Sequence, residues 1–483
     1  MNKLSLLIAG QHCQAQDNAT FVRHNPFNGE ATTLAAAASV ADAKAAADAA
    51  SAAFPAWSST SPGVRRTKLL KAADLMEAHQ AEFIEAMVAE TGATPGWAGF
   101  NVMIAASVLR EAASLTTQIG GDIIPSNVPD NLAMGIRVPC GVVLGIAPWN
   151  APIILGTRAI ATPLACGNTV ILKASEQCPA THLLIGEVLN KAGLGDGIVN
   201  VITNAPEQAA EVVEALIEHP AIRRINFTGS TQVGRIIAEK AARLLKPVLL
   251  ELGGKAPLLV LEDADLDAAV DAAAFGAFFN QGQICMSTER LIVIDTVADA
   301  FAEKLAKKAR SLKAGDPNDT TNMLGTLVSQ EAGLKLNALL DDALGKGGRL
   351  LSGGKADGVI MQATLIDGVQ EHMRLYREES FGPMLALIRV KDEAEAIRVA
   401  NDSDYGLSAA VFSQNIARAM KVAGQIESGI CHINGPTVHD EPQMPFGGVK
   451  SSGYGRFGGK AGIEEFTELR WMTVQLGPRH YPI

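Results

Sequence analysis

Four short stretches carry side chains and turns of the kinds that perform chemistry or hold a ligand. FFNQGQICMS (278–287) sets Cys285 among Gln and Gly. A thiol there can stand open to a substrate as a nucleophile, although an isolated cysteine is ordinarily inert core. LLELGGKAP (249–257) sets Glu251 after apolar residues and ahead of Gly253 and Gly254. Poor solvation raises a carboxyl pKa and suits it to act as a base; the plainer alternative is a carboxylate turned out at a strand end. LGIAPWNAPI (144–153) ends an apolar run at Asn150. That amide either caps the helix that Pro152 opens or points into a crevice at the strand's carboxyl end. In INFTGSTQVG (225–234) a β-run stops at Phe227, Gly229 permits a tight turn, and Ser230 and Thr231 cap a helix. Backbone N–H groups at such a helix start face a pyrophosphate favourably, and the same pattern also makes an ordinary capped turn. None of the four decides a function alone.

The surrounding pattern says how they are held. Residues 33–54 are Ala-rich and predict a helix, and 65–91 continues in helical period. From 140 onward β-branched runs recur at Val142–Ile146, Thr169–Leu172, Ile198–Ile202, Arg224–Phe227, Val248–Leu250 and Leu258–Leu261. Segments such as 177–192 and 206–218 are long enough for crossover helices, so the alternation predicts a parallel, doubly wound sheet. A second such stretch follows from 256, with helices near 265–280 and 297–312, and turn-rich loops at 315–322 and 345–354. Lys3 with Leu4–Gly10 faintly imitates a signal peptide, but no small-x-small site follows, and a first strand is the better reading.

Three patterns invite over-reading. Gly453–Gly458 matches GxGxxG without a preceding strand or βαβ context, so the physical basis of that fingerprint is missing. Asp263, Asp265 and Asp267 imitate a calcium loop, yet Ala268 and Ala274 stand where Gly and Glu are required; a capped helix start explains them. Cys178 and His182 share a helix face, but two ligands make no metal site.

The chain has 483 residues, 48% apolar and only 5% aromatic, and a net charge of −10. An acidic chain lacks the basic footprint of a nucleic-acid binder. The apolar content excludes disorder, and no run approaches the ~18–20 apolar residues of a membrane span. The six cysteines, Cys13, Cys140, Cys166, Cys178, Cys285 and Cys431, form neither a disulfide ladder nor a zinc pattern. No metal is expected, and reduced thiols point to the cytoplasm.

Taken together and in order, PWN, FTGS, LELGGK and GQIC, followed by EESFGP (378–383) and PFGGVKSSGYG (445–455), resemble the aldehyde dehydrogenase superfamily across essentially the whole chain. The resemblance implies Cys285 as nucleophile, Glu251 as general base and Asn150, with the Cys285 backbone N–H, as oxyanion donors. The thiolate would attack the aldehyde, hydride would pass to a nicotinamide, and Glu251 would activate water to hydrolyse the thioester. A base in place argues for the hydrolytic rather than the coenzyme A-acylating branch. The implied cofactor residues are Ile146, Pro148, Trp149, Lys173, Glu176, Gly229, Ser230, Val233, Glu379 and Phe381. The Glu176 carboxylate, facing the adenosine ribose, would favour a 2′-hydroxyl and repel a phosphate, so NAD is expected.

The implied fold is α/β, with a Rossmann-like parallel-sheet NAD domain (1–121 and 142–251), an α/β catalytic domain (252–450) and a small oligomerisation arm (122–141 and 451–483). A homodimer or homotetramer follows from the same resemblance. Substrate choice is read from a departure: Ala151 and Arg158 stand where aromatics are common in the family. A methyl in place of a ring opens roughly 80–100 Å³ for a bulky substrate, with Trp97 and Phe446 as further walls. These features resemble the bacterial members that act on ring aldehydes. The expected substrate is a hydroxylated benzaldehyde, vanillin first, then salicylaldehyde or benzaldehyde, then an aliphatic semialdehyde. Arg158 would lie near a ring hydroxyl or its phenolate, unless it is an exposed ion pair and Trp97 plain core.

Overall fold

The β-runs after residue 140 assemble as anticipated into one parallel core in the computed structural model, which describes residues 2–483. Strands Val142–Ile146, Thr169–Lys173 and Val199–Ile202 pair side by side in that order. The chain then returns to the opposite flank, where Ile222–Thr228 pairs with Val142–Ile146 and Val248–Glu251 pairs with Ile222–Thr228. All of these pairings are parallel. Short antiparallel strands at Leu6–Ile8, Gln11–Cys13 and Gly453–Tyr454 complete an 8-stranded sheet. The reversal of strand order makes a switch point between Val142–Ile146 and Ile222–Thr228. Open α/β sheets bind ligands at that place, outside the carboxyl ends of the strands. The loops leaving those two ends are PWN and TGS.

A second sheet has 7 strands, with Ala256–Val260, Thr288–Ile294 and Met384–Val390 at its centre. Leu252–Lys255 carries the chain directly from Val248–Glu251 of the first sheet to Ala256–Val260 of the second, and the chain returns to the first sheet at Gly453–Tyr454. Glu251 therefore sits at the joint between the two bodies. Two 3-stranded sheets flank them: Asn2–Leu4, Ala31–Ala36 and Thr20–His24 form one, and Gly121–Ile124, Asn131–Pro139 and Thr467–Gln475 form the other. The 451–483 stretch is shared out, since Gly453–Tyr454 joins the 8-stranded sheet and only Thr467–Gln475 enters the small one.

The Ala-rich segment is one correction to the sequence reading. Ala31–Ala36 is a strand, and the helix begins at Val40, after a capping box in which Ser39 and Asp42 satisfy each other's backbone. Alanine propensity yields there to pairing with two neighbouring strands. The helical stretch 65–91 divides at His79 into Pro62–Ala78 and Gln80–Thr91. Gly453 lies at φ +108° with no room for a Cβ, which would meet the Leu250 carbonyl oxygen at 2.0 Å. Tight strand pairing thus accounts for the first glycine of the misleading GxGxxG. Asp265 caps the helix Leu266–Phe278 through the N–H groups of Asp267 and Ala268. His182 is fully buried, one ring nitrogen meeting the Ser175 N–H and the other the Pro152 carbonyl.

The helix Pro152–Ala165 (PIILGTRAIATPLA) is buried along its whole length. Ile153, Ile154, Leu155, Ile160 and Leu164 each contribute about 1.5–3 kcal/mol by leaving water. Their sum exceeds the several kcal/mol that burying one cation costs, so the same helix can carry Arg158 inward.

Candidate active site

Three cavities meet around the joint between the sheets. The first, about 560 Å³, lies along the switch point and is lined by Ile146, Pro148, Trp149, Lys173, Glu176, Gly229, Ser230 and Val233, among others. The second, about 260 Å³, continues from it and is lined by Asn150, Glu251, Cys285, Lys335, Glu379 and Phe381. The third, about 60 Å³, lies beyond and contains Trp97, Ala151, Arg158, Asp440 and Phe446. Asn150 and Cys285 are the two residues that line both the second and the third. Cys285 and Asn150 thus stand where a ligand from one side would meet a ligand from the other.

The first cavity has the chemistry of a dinucleotide site. Ser230 caps the helix Thr231–Arg243, its hydroxyl accepting the Val233 N–H at 3.3 Å, so a positive helix end faces the cleft. Val213, Ile217, Phe227, Val233 and Ile236 form an apolar slot, with Val233 and Ile236 still exposed. Lys173 is ion-paired with Glu176, and Asn204 donates to the same Glu176 oxygen, Oε1, at 3.1 Å. Burial works against ionising Glu176, but Lys173 and Asn204 outweigh it and hold the carboxyl below its usual range. Its other oxygen is left to accept from a ligand hydroxyl. These residues fit an adenosine ribose, a pyrophosphate and an adenine ring.

Around the second cavity, Glu251 ends its strand fully buried rather than turned to solvent, and neither carboxylate oxygen has a hydrogen-bond partner among the described residues. Burial pushes its pKa up to about 8, against the pull of Arg158 and the Cys285 thiol. The Cys285 thiol is itself raised, by burial and by the nearby Glu251 and Glu379 carboxylates. The resting pair is therefore a neutral thiol beside a reluctant carboxylate, and a proton can pass between them. Asn150 is not a helix cap: Ala151 occupies that position, and the Asn150 side chain donates to the Gln283 carbonyl at 3.0 Å. That bond takes one amide hydrogen and leaves the second free.

The glycines of LELGGK are explained by what presses on them. A Cβ on Gly253 would meet the Glu379 carboxylate at 2.7 Å, and one on Gly254 would meet the Cys285 carbonyl oxygen at 2.3 Å. The Gly254 N–H donates to Glu379 at 2.7 Å, while burial pushes Glu379 up to about 7. Cys285 follows a kinked turn in which Asn280 and Gln281 both take positive φ, 48° and 54°. Phe381, also at positive φ, is held from behind by a buried carboxylate. Glu289 accepts from the Ser380 and Phe381 N–H groups and pairs with Lys255 at 2.5 Å.

The third cavity gathers much of the sparse aromatic content. Trp97 stacks on Phe100 at 5.5 Å and meets Phe279 edge-on at 4.9 Å, and Phe275, Phe279 and Phe446 complete the lining. Trp97 is thus core and wall at once, with its indole N–H donated to the Asn150 carbonyl. Ala151, Ile154, Leu155 and Arg158 enter on one helical face. Arg158 is no exposed ion pair. It is buried against Asp440, with its guanidinium 4.7 Å over the Phe446 ring.

Sequence reasoning missed Lys335, Asp440 and the Lys255–Glu289 pair. Lys335 comes from a separate helix, donating to the Glu379 carbonyl at 2.8 Å. Asp440 lies 282 residues from its partner Arg158, in a loop whose local pattern marks nothing. Lys255 was visible in LELGGK, but its partner was not.

A model of the aldehyde dehydrogenase family matches residues 12–472. A vanillin dehydrogenase of Pseudomonas fluorescens is 64% identical over 483 residues, covering 100% of both chains. The crystal structure of a salicylaldehyde dehydrogenase from Pseudomonas putida G7, complexed with salicylaldehyde, superposes with a TM-score of 0.98 at 51% identity, covering 100% of both chains. An E. coli structure described as an NADP-dependent enzyme gives a TM-score of 0.95 at 37% identity, covering 98% of each.

Proposed function

The chain belongs to the aldehyde dehydrogenase family, and from that premise we propose that it oxidises aromatic aldehydes, vanillin first, to their carboxylic acids with NAD. The enzyme oxidises an aldehyde and uses a nicotinamide cofactor; ring preference, cofactor choice and residue roles form the proposal. The observation that carries it is the position of Cys285 and Asn150, shared by an aromatic-lined cavity on one side and the Glu251 cavity on the other.

The Cys285 thiol passes its proton towards Glu251, and the sulfur attacks the aldehyde carbon. The free Asn150 amide hydrogen and the Cys285 backbone N–H stabilise the oxyanion. A nicotinamide bound there would supply the hydride acceptor needed to reach a thioester. Glu251, having released the thiol proton to solvent, then takes a proton from water; hydroxide attacks the thioester, the C–S bond breaks, the acid leaves and Glu251 returns a proton to the Cys285 thiolate. Ile146, Pro148, Trp149, Lys173, Glu176, Gly229, Ser230 and Val233 would hold the adenosine diphosphate half, and Glu379 and Phe381 the nicotinamide end. The Glu176 carboxylate supports NAD over NADP, since a 2′-phosphate would meet a negative charge. Trp97, Ala151, Arg158 and Phe446 would enclose the substrate ring.

An acidic semialdehyde fits less well. It needs a free cation for its distal carboxylate, and the Arg158 charge is already answered by Asp440. The test is kcat/KM with NAD for vanillin, salicylaldehyde, benzaldehyde, succinic semialdehyde and a short aliphatic aldehyde, with Cys285→Ala as the blank. The aromatic aldehydes should lead and NAD should outperform NADP; an aliphatic aldehyde in first place would overturn the substrate reading. We further propose a homodimer or homotetramer, supported by the exposed apolar edge of the small sheet. A cytoplasmic location is supported by six free cysteines. Among the described residues no helix is long and apolar enough to cross a membrane.

A further inference from the structure

We infer that Asp440 is a specificity-determining residue, its Oδ1 accepting the O–H of a hydroxyl group on the substrate ring. This rests on the reading that the substrate is a benzaldehyde, and it assigns the recognition of the ring substituent to a different atom from the Arg158 guanidinium.

Asp440 lines the aldehyde cavity together with Trp97, Phe100, Phe279, Phe446 and Cys285. Its side chain is only 11% exposed. Oδ2 is taken by Arg158, whereas Oδ1 is buried with no hydrogen-bond partner among the described residues. A buried carboxylate oxygen left unpaired is unfavourable, and a water or a ligand donor must complete it. The other polar groups of the cavity are committed. The Trp97 indole donates to the Asn150 carbonyl, His439 pairs with Glu441 at 2.9 Å, and Asn150 and Cys285 face the reacting carbonyl.

The Arg158 pairing decides what the cavity asks for. Without Asp440 the guanidinium would attract an anion such as a phenolate. With it, the pair carries no net charge, and its buried atom left without a partner is an acceptor, Oδ1. Paired with a guanidinium, a carboxylate has no hydrogen to give, so it binds a donor only. A neutral phenol supplies one; its methyl ether does not. The cation over the Phe446 ring and the bond to Oδ2 together fix the carboxylate plane, so Oδ1 is aimed before the substrate arrives.

The test compares each hydroxybenzaldehyde (2-, 3- and 4-) with its methoxy counterpart, which keeps the electronic effect on the aldehyde and removes the hydrogen. For the best isomer, kcat/KM should favour the hydroxyl by about tenfold or more, the size of a hydrogen bond to a charged group. In the paired Arg158→Met/Asp440→Leu variant, which leaves no lone buried charge, that ratio should fall to within about threefold of unity. Losses common to both substrates cancel in the ratio. Should that variant not fold, the wild-type enzyme still answers: phenol should inhibit benzaldehyde oxidation competitively, about tenfold more tightly than anisole. A hydroxyl-to-methoxy ratio near unity in the wild type, a ratio that survives in the paired variant, or equal inhibition by phenol and anisole overturns the assignment. Failure to oxidise any benzaldehyde would instead remove the underlying substrate reading.

Discussion

Glu251 is held in a setting that costs stability and supplies reactivity. Its carboxyl titrates near pH 8 in the folded chain and at the ordinary carboxylate value when unfolded. Between those values the folded state holds a proton that the unfolded state has lost. Stability therefore falls as pH rises from about 4.5 to 8 and levels off above. Glu251→Gln should remove that penalty: its melting temperature should exceed the wild type's at pH 9, with the gap closing towards pH 5. Turnover should move the other way, because a base works only when deprotonated. Wild-type kcat should climb through pH 8, and the variant should lose at least ~10²-fold. A variant no more stable at pH 9 would show that the carboxylate is solvated. The motif already marked Glu251 as a poorly solvated acid, since apolar neighbours precede it. The two empty oxygens are a tertiary fact, because they depend on what the second sheet fails to offer.

At the scale of elements, the joint Leu252–Lys255 does the positioning. It turns the chain from one sheet into the other while the Glu379 carboxylate and the Cys285 backbone press against Gly253 and Gly254. Gly254→Ala puts a methyl 2.3 Å from the Cys285 carbonyl oxygen, and the turn carrying the thiol must shift. A displacement of about 1 Å is enough to cost ~10²-fold in rate. We expect kcat to drop by about that factor with the far-UV circular dichroism unchanged; full activity would show that the turn can yield. Strand positions were legible because buried parallel strands read as β-branched runs, and Val142–Ile146 matches residue for residue. Ala31–Ala36 was not, because an alanine run suits helix and strand alike until pairing partners decide. Asn150 was read as a cap or a donor, and only the tertiary Gln283 carbonyl, which orients its amide, separates the two.

Over the whole molecule, the small sheet of Gly121–Ile124, Asn131–Pro139 and Thr467–Gln475 is tied to the first main sheet where Arg224 pairs with Glu468 at 3.0 Å, and leaves most of its last strand exposed. On one face of it Ile124 is 50%, Leu469 65% and Trp471 80% exposed. A contiguous apolar surface of this kind marks an interface. Light scattering should give a mass at least twice the chain's 50.6 kDa, and Trp471→Glu should shift it towards the monomer; a monomeric wild type would refute the assembly. Local sequence encodes the α/β architecture, the Cys285, Glu251 and Asn150 side chains proposed for catalysis and the Gly229–Ser230 turn, because each is written within a few neighbouring positions. Strand periodicity, turn glycines and helix caps are local physics. Tertiary structure alone decided that Arg158 is neutralised by Asp440, that Glu289 supports the Phe381 turn, and that Cys285 and Asn150 border two cavities. Each of those facts joins residues far apart in the chain, and a buried charge or an unpaired oxygen exists only once packing has excluded water around it.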